Sequence, residues 1–406
     1  MMLRMRLTWA AAVTALVFGG ASARAAWTTF LNNGPSSNRV DIVFMGDGYT
    51  ASTINTDYPA HVNAMMSHFF NEGQDPYPRY HNFFNAHRID VISNEAGADV
   101  PPLGIFRDTA LDASYYFDGV TERLLSVNTT KANQKLTTEL AGASFSAEMK
   151  LVTVGDTRYG GAGGTYAVYA GGNGSATEIA LHELGHSFDG LADEYGGNTG
   201  TYPGGEPGEI NVTKNSTGAK WSQWLGYNQP GIGVIGAYEG GRYYDHGIYR
   251  PSNNSKMRSL GRPFDAVARE KIILDIYKFV DPLDGYTSNA SPLTDASLRV
   301  DTVDPDVIDV NWYVNGTLVP GATDETFNLA SFGYGPGTYN VMARAFDPTD
   351  WVRINLNQLR QDVSWTLTLT PEPSCVITLW LLPLGRRRSR SIRPRARATA
   401  HDGAIN

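Results

Sequence analysis

Residues 182–195 of this 406-residue chain read HELGHSFDGLADEY. On a helix, residues four positions apart lie on one face, so the imidazoles of His182 and His186 can reach a single metal ion. Glu183 then lies beside that ion, where it can accept a proton from a water molecule that the ion activates. The stretch therefore predicts a helix that carries a catalytic site with one Zn²⁺ ion.

The flanking residues predict where this helix begins and ends. Ser175 and Glu178 have the spacing of a capping box at the start of a helix. Gly190 is placed to end it, because glycine readily adopts the left-handed conformation that reverses the backbone. That reversal would return Asp193 or Glu194 toward the metal.

Asp193 and Glu194 are both candidates for the third ligand. In the metzincin class of zinc peptidases, a glycine and the third ligand follow the second histidine by three and six positions. Here Gly190 and Asp193 follow His186 by four and seven positions, so the glycine-to-ligand spacing is kept, and Asp193 is favoured. A gluzincin-type glutamate on a second helix is disfavoured, because Glu206 and Glu209 lie in a segment rich in Pro and Gly that cannot form a helix.

Residues 182–195 also resemble the signature of the bacterial IgA-peptidase-type zinc metallopeptidases, a metzincin-like family. Three further blocks are similar to that family: residues 40–49 to its first strand and loop, residues 159–164 to its glycine-rich segment, and residues 249–258 to its methionine turn. The resemblance covers about residues 27 to 280. It implies a zinc cofactor, a peptide or protein substrate and Met257 as an apolar floor under the metal.

The chain departs from the family near the methionine turn. The family usually has cysteines there, where this sequence has Ser255, Asp265 and Ala268, and no additional amino-terminal β-domain is found. In the segment 239–246, a tyrosine or His246 could donate a hydrogen bond to a reaction intermediate, or the segment could be an aromatic wall. The sequence leaves both interpretations open.

Alternating strand and helix patterns predict an α/β or α+β catalytic domain over residues 26–282. The expected strands are 40–45, 89–93 and 151–154, and the expected helices are 60–70, 114–126, 131–141 and 266–280. After a linker, short runs at 307–314, 326–329, 338–346 and 363–369 predict a small immunoglobulin-like β-sandwich over residues 288–370.

Both ends of the chain predict export. Arg4 and Arg6, an apolar run and the small residues around Arg24 indicate a signal peptide over residues 1–25. Pro371-Glu372-Pro373, an apolar run of about ten residues and an arginine cluster resemble a PEP-CTERM sorting signal over residues 371–390, followed by a basic tail over 391–406. This resemblance implies an exosortase-type processing enzyme, transient membrane association through the tail, and a final location in the envelope, at the cell surface or in the extracellular matrix.

The charge of the chain disfavours some classes of partner, and its cysteine content excludes a disulfide in the body. The formal net charge of the whole chain is −8, from 33 basic and 41 acidic residues. Three of the basic residues lie in the predicted signal peptide and seven lie from Pro371 onward, whereas these two segments together contain only two acidic residues. The remaining 23 basic and 39 acidic residues give the body a charge of about −16, which argues against nucleic acid or an anionic membrane as its partner. Cys375 is the only cysteine, so the body has no disulfide.

Two functions from different classes follow from these observations. The first is an exported zinc endopeptidase with Glu183 as general base. The second is a non-catalytic cell-surface binding protein with a structural or vestigial zinc site, in which the β-sandwich is the working part. The presence of Glu183 favours the enzyme, since a structural site does not need that residue.

Overall fold

A mixed six-stranded sheet forms the centre of the amino-terminal part of the chain, whose computed structural model describes residues 27–371. The predicted signal peptide and the part of the predicted sorting signal from Glu372 onward lie outside these described residues. The strands are β1 (Trp27–Leu31), β2 (Val40–Asp47), β3 (Phe84–Ile89), β4 (Met149–Val154), β5 (Gly161–Ala162) and β6 (Ala167–Ala170). They lie in the order β1-β3-β2-β4-β6-β5, parallel except for the two edge strands β1 and β5.

Helices cover both faces of this sheet. They are α1 (Asp57–Phe69), α2 (Thr129–Glu139), α3 (Ala176–Ser187) and α4 (Ala266–Ile276). Strand β2 is buried on both faces because its side chains alternate: Ile42 and Phe44 pack in the core with α1, α3 and α4, whereas Val43 and Met45 pack in the core with α2. The sheet therefore holds α3 on one face, with its amino-terminal end just after β6.

Between α3 and α4 the chain forms short strands and loops. The strands are β7 (Asn198–Thr201), β8 (Asn228–Gln229), β9 (Gly233–Val234), β10 (Tyr238–Gly241) and β11 (Tyr244–Arg250). Strands β10, β11 and β7 form one small sheet, and β10 and β11 are joined by a tight hairpin at Arg242 and Tyr243. This hairpin reaches the segment that follows α3, as described below.

The carboxyl-terminal part consists of two sheets. Its strands are β12 (Leu283–Tyr286), β13 (Leu293–Thr294), β14 (Leu298–Thr302), β15 (Asp309–Val314), β16 (Thr317–Leu318), β17 (Thr326–Phe327), β18 (Gly337–Phe346) and β19 (Arg360–Leu369). The sheets have the orders β12-β14-β17 and β13-β19-β18-β15-β16. Trp312 stacks on Phe327 of the smaller sheet at 5.0 Å between ring centroids, so the two sheets share an apolar core.

Polar contacts join this part to the rest of the chain. The side chain of Asp347 is fully buried and accepts hydrogen bonds from Arg79 at 2.8 Å, Tyr80 at 2.6 Å and Tyr277 at 3.0 Å. A buried carboxylate with several donors is well satisfied, whereas loss of those donors would be costly. The β-sheets are therefore packed firmly onto the α/β part.

Most of the predicted elements are confirmed, but two are wrong. Residues 114–126 form no helix: Ser114 and Ser126 pair through their backbones at 2.9 Å in both directions, and Asp118 accepts bonds from the backbone N–H groups of Val120 and Thr121. Such local side-chain bonds compete with a helix. The strand predicted at 89–93 lies earlier in the chain, because β3 spans Phe84–Ile89.

Among residues 27–371, no helix is long and apolar enough to cross a membrane.

Candidate metal centre

Helix α3 places the two histidines and the glutamate of the signature in one region of the protein. His182, Glu183 and His186 each offer a ligand atom, and these atoms all lie within 4.8 Å of one another. The helix begins at Ala176, but Ser175 makes no side-chain capping bond, so the predicted capping box is wrong. Glu178 instead accepts hydrogen bonds from Lys256 at 2.6 Å and from His68 at 2.8 Å. The ammonium group of Lys256 is buried and would be costly to leave without a carboxylate, whereas a backbone N–H at the start of a helix can do without one.

Asp193 completes a triangle of ligand atoms with the histidines. Its Oδ1 lies 3.0 Å from His182 Nε2 and 3.2 Å from His186 Nε2, and the two Nε2 atoms are 3.2 Å apart. Three donors at about 2.0 Å from a tetrahedral ion are separated by roughly 3.3 Å. The three residues therefore fit a zinc ion by chemistry and by spacing.

Backbone carbonyls fix the tautomers of both imidazoles. His182 Nδ1 donates to the carbonyl of Lys256 at 3.0 Å, and His186 Nδ1 donates to the carbonyl of Leu191 at 2.7 Å. Because a carbonyl can only accept, each Nδ1 carries a hydrogen, so in the neutral form of each ring Nε2 is the atom with the lone pair that could bind an ion. In that form two Nε2 lone pairs and a carboxylate oxygen converge, and a proton or a metal ion between them would relieve their repulsion.

The charges of the site support this arrangement. Burial raises the pKa of Asp193, but hydrogen bonds from His182 and His186 outweigh it and hold that pKa well below its usual range. Burial lowers the pKa of His186, whereas Asp193 and Glu183 raise it, to about 9. The site therefore attracts positive charge, as a cation-binding site must.

Glu183 is buried beside the triangle without belonging to it. Only 8% of its surface is exposed. Burial raises the pKa of Glu183, while the two histidines and Arg123 lower it and Asp193 raises it further. A carboxylate held this close to the ligand atoms can accept a proton from a water molecule beside it.

Glu194 does not face the imidazoles. Its fully buried carboxyl accepts hydrogen bonds from Asn211 at 2.9 Å and from Ser255 at 2.6 Å. Burial raises its pKa, and the nearby Asp265 raises it further. Ser255 and Asp265, which stand where the family usually has cysteines, thus take part in a buried polar network around the turn.

The segment between Gly190 and Met257 supports the ligands from below. Gly190 has φ +62°, a left-handed conformation that favours glycine, and Leu191 N donates to the carbonyl of Gly185 at 2.8 Å. Met257 is fully buried, and a Cβ on Gly185 would lie 2.7 Å from its Sδ. Glycine at 185 therefore allows Met257 to pack directly against α3.

Tyr243 holds the second oxygen of Asp193. Its hydroxyl donates to Asp193 Oδ2 at 2.5 Å, and Arg242 N donates to the carbonyl of Asp193 at 2.8 Å. Arg242 and Tyr243 have φ values of +45° and +70°, so the hairpin keeps two non-glycine residues in a strained conformation at this point. His246 lies instead on the exposed side of the hairpin, 3.7 Å from Glu239.

We expect Tyr243→Phe to weaken zinc binding by about 10-fold, because hydrogen-bond partners of ligands tune the metal at that scale. Competition with a zinc chelator measures the change. Tyr238→Phe removes a hydroxyl that donates to the carbonyl of Val234 in β9, away from Asp193, and it should leave the affinity unchanged. Equal affinities for Tyr243→Phe and the unmodified chain would show that the hydroxyl does not support Asp193.

Two cavities flank the site. The first has a volume of about 500 Å³ and is lined by the site residues together with the apolar side chains of Phe117, Leu124, Val127, Tyr166 and Leu191. The second has a volume of about 310 Å³ and lies toward the start of α3 and the residues that follow Met257. Arg123 and Tyr195 line both cavities, so a cleft passes across His182 and Glu183.

Several residues of this site were missed in the sequence. The carbonyl of Lys256, the side chain of Asn211 and the guanidinium of Arg123 act through long-range contacts that no local pattern reveals. Glu206 and Glu209 form ion pairs with Lys220 at 3.0 Å and Arg242 at 3.2 Å, away from the ligand triangle.

The chain matches one known family. Residues 28–232, just over half of the sequence, match the family model described as IgA Peptidase M64. The match contains residues 182–195 and ends before the turn at Met257. No curated protein matches the chain.

Proposed function

This chain belongs to the IgA peptidase M64 family of metallopeptidases, and from that premise we propose that it is an exported zinc endopeptidase. His182, His186 and Asp193 would hold one zinc ion, in a metzincin-like arrangement with Met257 beneath it. The observation that carries the proposal is the triangle of ligand atoms with edges of 3.0 to 3.2 Å and the free carboxylate of Glu183 beside it.

The residues around the triangle would have separate roles in peptide hydrolysis. When bound, zinc lowers the pKa of water and polarises a substrate carbonyl. Glu183 accepts the proton of the attacking water at a carboxylate oxygen and passes it to the leaving amine. The carbonyls of Lys256 and Leu191 keep both imidazoles oriented throughout, and Tyr243 keeps Asp193 in place.

The cleft is open enough for a peptide. The two cavities together extend on both sides of Glu183, and the apolar wall of the first favours an apolar substrate residue there. The proposed substrates are peptides in general. IgA appears in the description of the family, and we do not propose it as the substrate of this chain.

The remaining parts of the proposal rest on the sequence. Residues 1–25 would direct export, and Pro371-Glu372-Pro373 with the following residues would be read by an exosortase-type enzyme, after transient membrane association, for delivery to the envelope, cell surface or matrix. Residues 26–282 would form the catalytic domain. Residues 288–370 would form an immunoglobulin-like sandwich, which the stacking of Trp312 on Phe327 across two sheets supports.

Zinc dependence tests the proposal. We expect the full chain to contain about one zinc per molecule, to cleave members of a mixed peptide library, to lose cleavage when a chelator removes the metal and to regain it with added zinc. Cleavage that survives verified removal of metal would contradict a zinc mechanism. Bound zinc without any cleavage would favour the non-catalytic binding protein instead.

A further inference from the structure

The second cavity carries an unbalanced positive charge. Two arginines, Arg123 and Arg258, line it together with the hydroxyl-bearing side chains of Tyr159, Tyr195 and Ser259. Arg258 directly follows Met257 in the sequence, whereas Arg123 belongs to the segment between β3 and α2. Glu183 is the one carboxylate among the residues that line this cavity.

Neither arginine forms an ion pair within the part of the chain that the structure describes. Arg258 donates through Nη1 to the carbonyl of Asn253 at 2.7 Å, and Arg123 donates through Nη2 to the hydroxyl of Tyr195 at 3.1 Å. A guanidinium carries five N–H donors, so most of each group is left for another acceptor. Arg242 at the first cavity differs, because Glu209 already neutralises it at 3.2 Å.

This difference is informative because acidic residues outnumber basic ones in the chain as a whole. Several arginines of the described residues pair with a carboxylate, as Arg344 does with Asp362 at 2.9 Å. Arg123 and Arg258 line one cavity beside Glu183 without an ion pair in the described residues, and a guanidinium free of an ion pair can bind a planar anion.

We propose that the second cavity is a subsite for a substrate carboxylate next to the scissile bond. The inference rests on the proposed peptidase function and names its substrate class: peptides with Asp or Glu at that position, or with a free carboxyl terminus there. Ile179 and Leu260 provide apolar contacts for the methylene groups of such a residue, while the guanidinium groups bind its oxygens.

Cleavage of matched peptides tests the subsite. In otherwise mixed sequences with amidated ends, one position at a time is fixed as Glu or Gln, and a second set has free carboxyl termini. We expect the full, zinc-loaded chain to prefer Glu at one position next to the cleaved bond by about 10- to 100-fold in kcat/KM, the scale of a charge-assisted hydrogen bond. A preference seen only with free termini would assign the subsite to the terminal carboxylate instead, which supports the same chemistry.

Arg258→Gln should abolish the ratio of kcat/KM for the Glu peptides over the matched Gln peptides, whatever its effect on the overall rate, and Arg258→Glu should shift the preference to Lys. Arg258 is the better position to vary, because Arg123 also lies near Glu183. Arg344→Gln makes the same charge change in the carboxyl-terminal sheets and should keep the preference. Preferences that are the same in Arg258→Gln and the unmodified chain would overturn the proposal.

A binding measurement separates the subsite from the chemistry. The Glu183→Gln chain is titrated into labelled pools of the Glu and Gln peptides, and fluorescence anisotropy reports affinity without cleavage. Tighter binding of the Glu pool, lost in the double variant with Arg258→Gln, supports the subsite even where the proposed catalysis fails. Equal binding of both pools would refute the subsite and leave the peptidase proposal standing.

Discussion

Glu183→Gln should retain about one zinc per chain and lose peptide hydrolysis by about 10²- to 10⁴-fold in kcat, the usual contribution of general acid–base catalysis. The amide has the size of the carboxylate, so it fits the buried space beside Gly161 without a new collision. It cannot accept a proton from the attacking water. Zinc content by elemental analysis and kcat on a cleaved peptide, measured on the same preparation, check both halves of the prediction.

A matched Glu-to-Gln substitution elsewhere in the protein tests whether the loss of hydrolysis is specific to Glu183. Glu139→Gln makes the same change at the end of α2, where the carboxylate pairs with Lys135 at 3.0 Å on the protein surface, and it should leave kcat unchanged. Undiminished kcat in Glu183→Gln would mean that another group is the base. Loss of zinc in that variant would instead make Glu183 a ligand, against the closer approach of Asp193 to both imidazoles.

The fold could be predicted from the sequence where local pattern and burial agree. Val40–Asp47 is a continuous buried strand between two helical layers, and the helices at 57–69 and 129–139 have the expected apolar spacing. The strand β3 was misplaced because its inward residues are polar. Asn85 and His87 are buried and both bond to Asp41 at 3.0 Å, so a neighbouring strand satisfies side chains that by themselves suggest a loop.

The candidate site was predictable to the extent that it is local. The four-residue spacing on one helix brings His182 and His186 together, and a glycine at 190 turns the chain. The residues that orient these ligands lie far along the sequence: Lys256 is 74 positions from His182, which it contacts at 3.0 Å, and Tyr243 is 50 positions from Asp193, which it contacts at 2.5 Å. Such contacts depend on the tertiary fold and leave no local periodicity.

Asp193→Ala should lower zinc affinity about as much as His186→Ala, because each removes one of three ligands and leaves an open, weak site. Chelator competition and elemental analysis on the full chain measure the loss. The geometry supports the equivalence, since Asp193 Oδ1 approaches both imidazole nitrogens at 3.0 and 3.2 Å. Asp193→Asn keeps the size and one oxygen but removes the charge, and it should fall between the alanine variant and the unmodified chain.

Glu194→Ala tests whether Glu194 binds the zinc ion directly or only stabilises the turn that carries Asp193. Glu194 contacts Asn211 and Ser255, and its backbone N–H donates to the carbonyl of Met257 at 2.8 Å, so the change should loosen the turn and weaken zinc binding by roughly 10- to 100-fold rather than abolish it. Ser255→Ala removes one of the same contacts and should act in the same direction to a smaller extent. If Glu194→Ala loses zinc as completely as His186→Ala while Asp193→Ala retains it, the two carboxylates exchange roles, and the ligand triangle would have to form around Glu194 after a rotation of this segment.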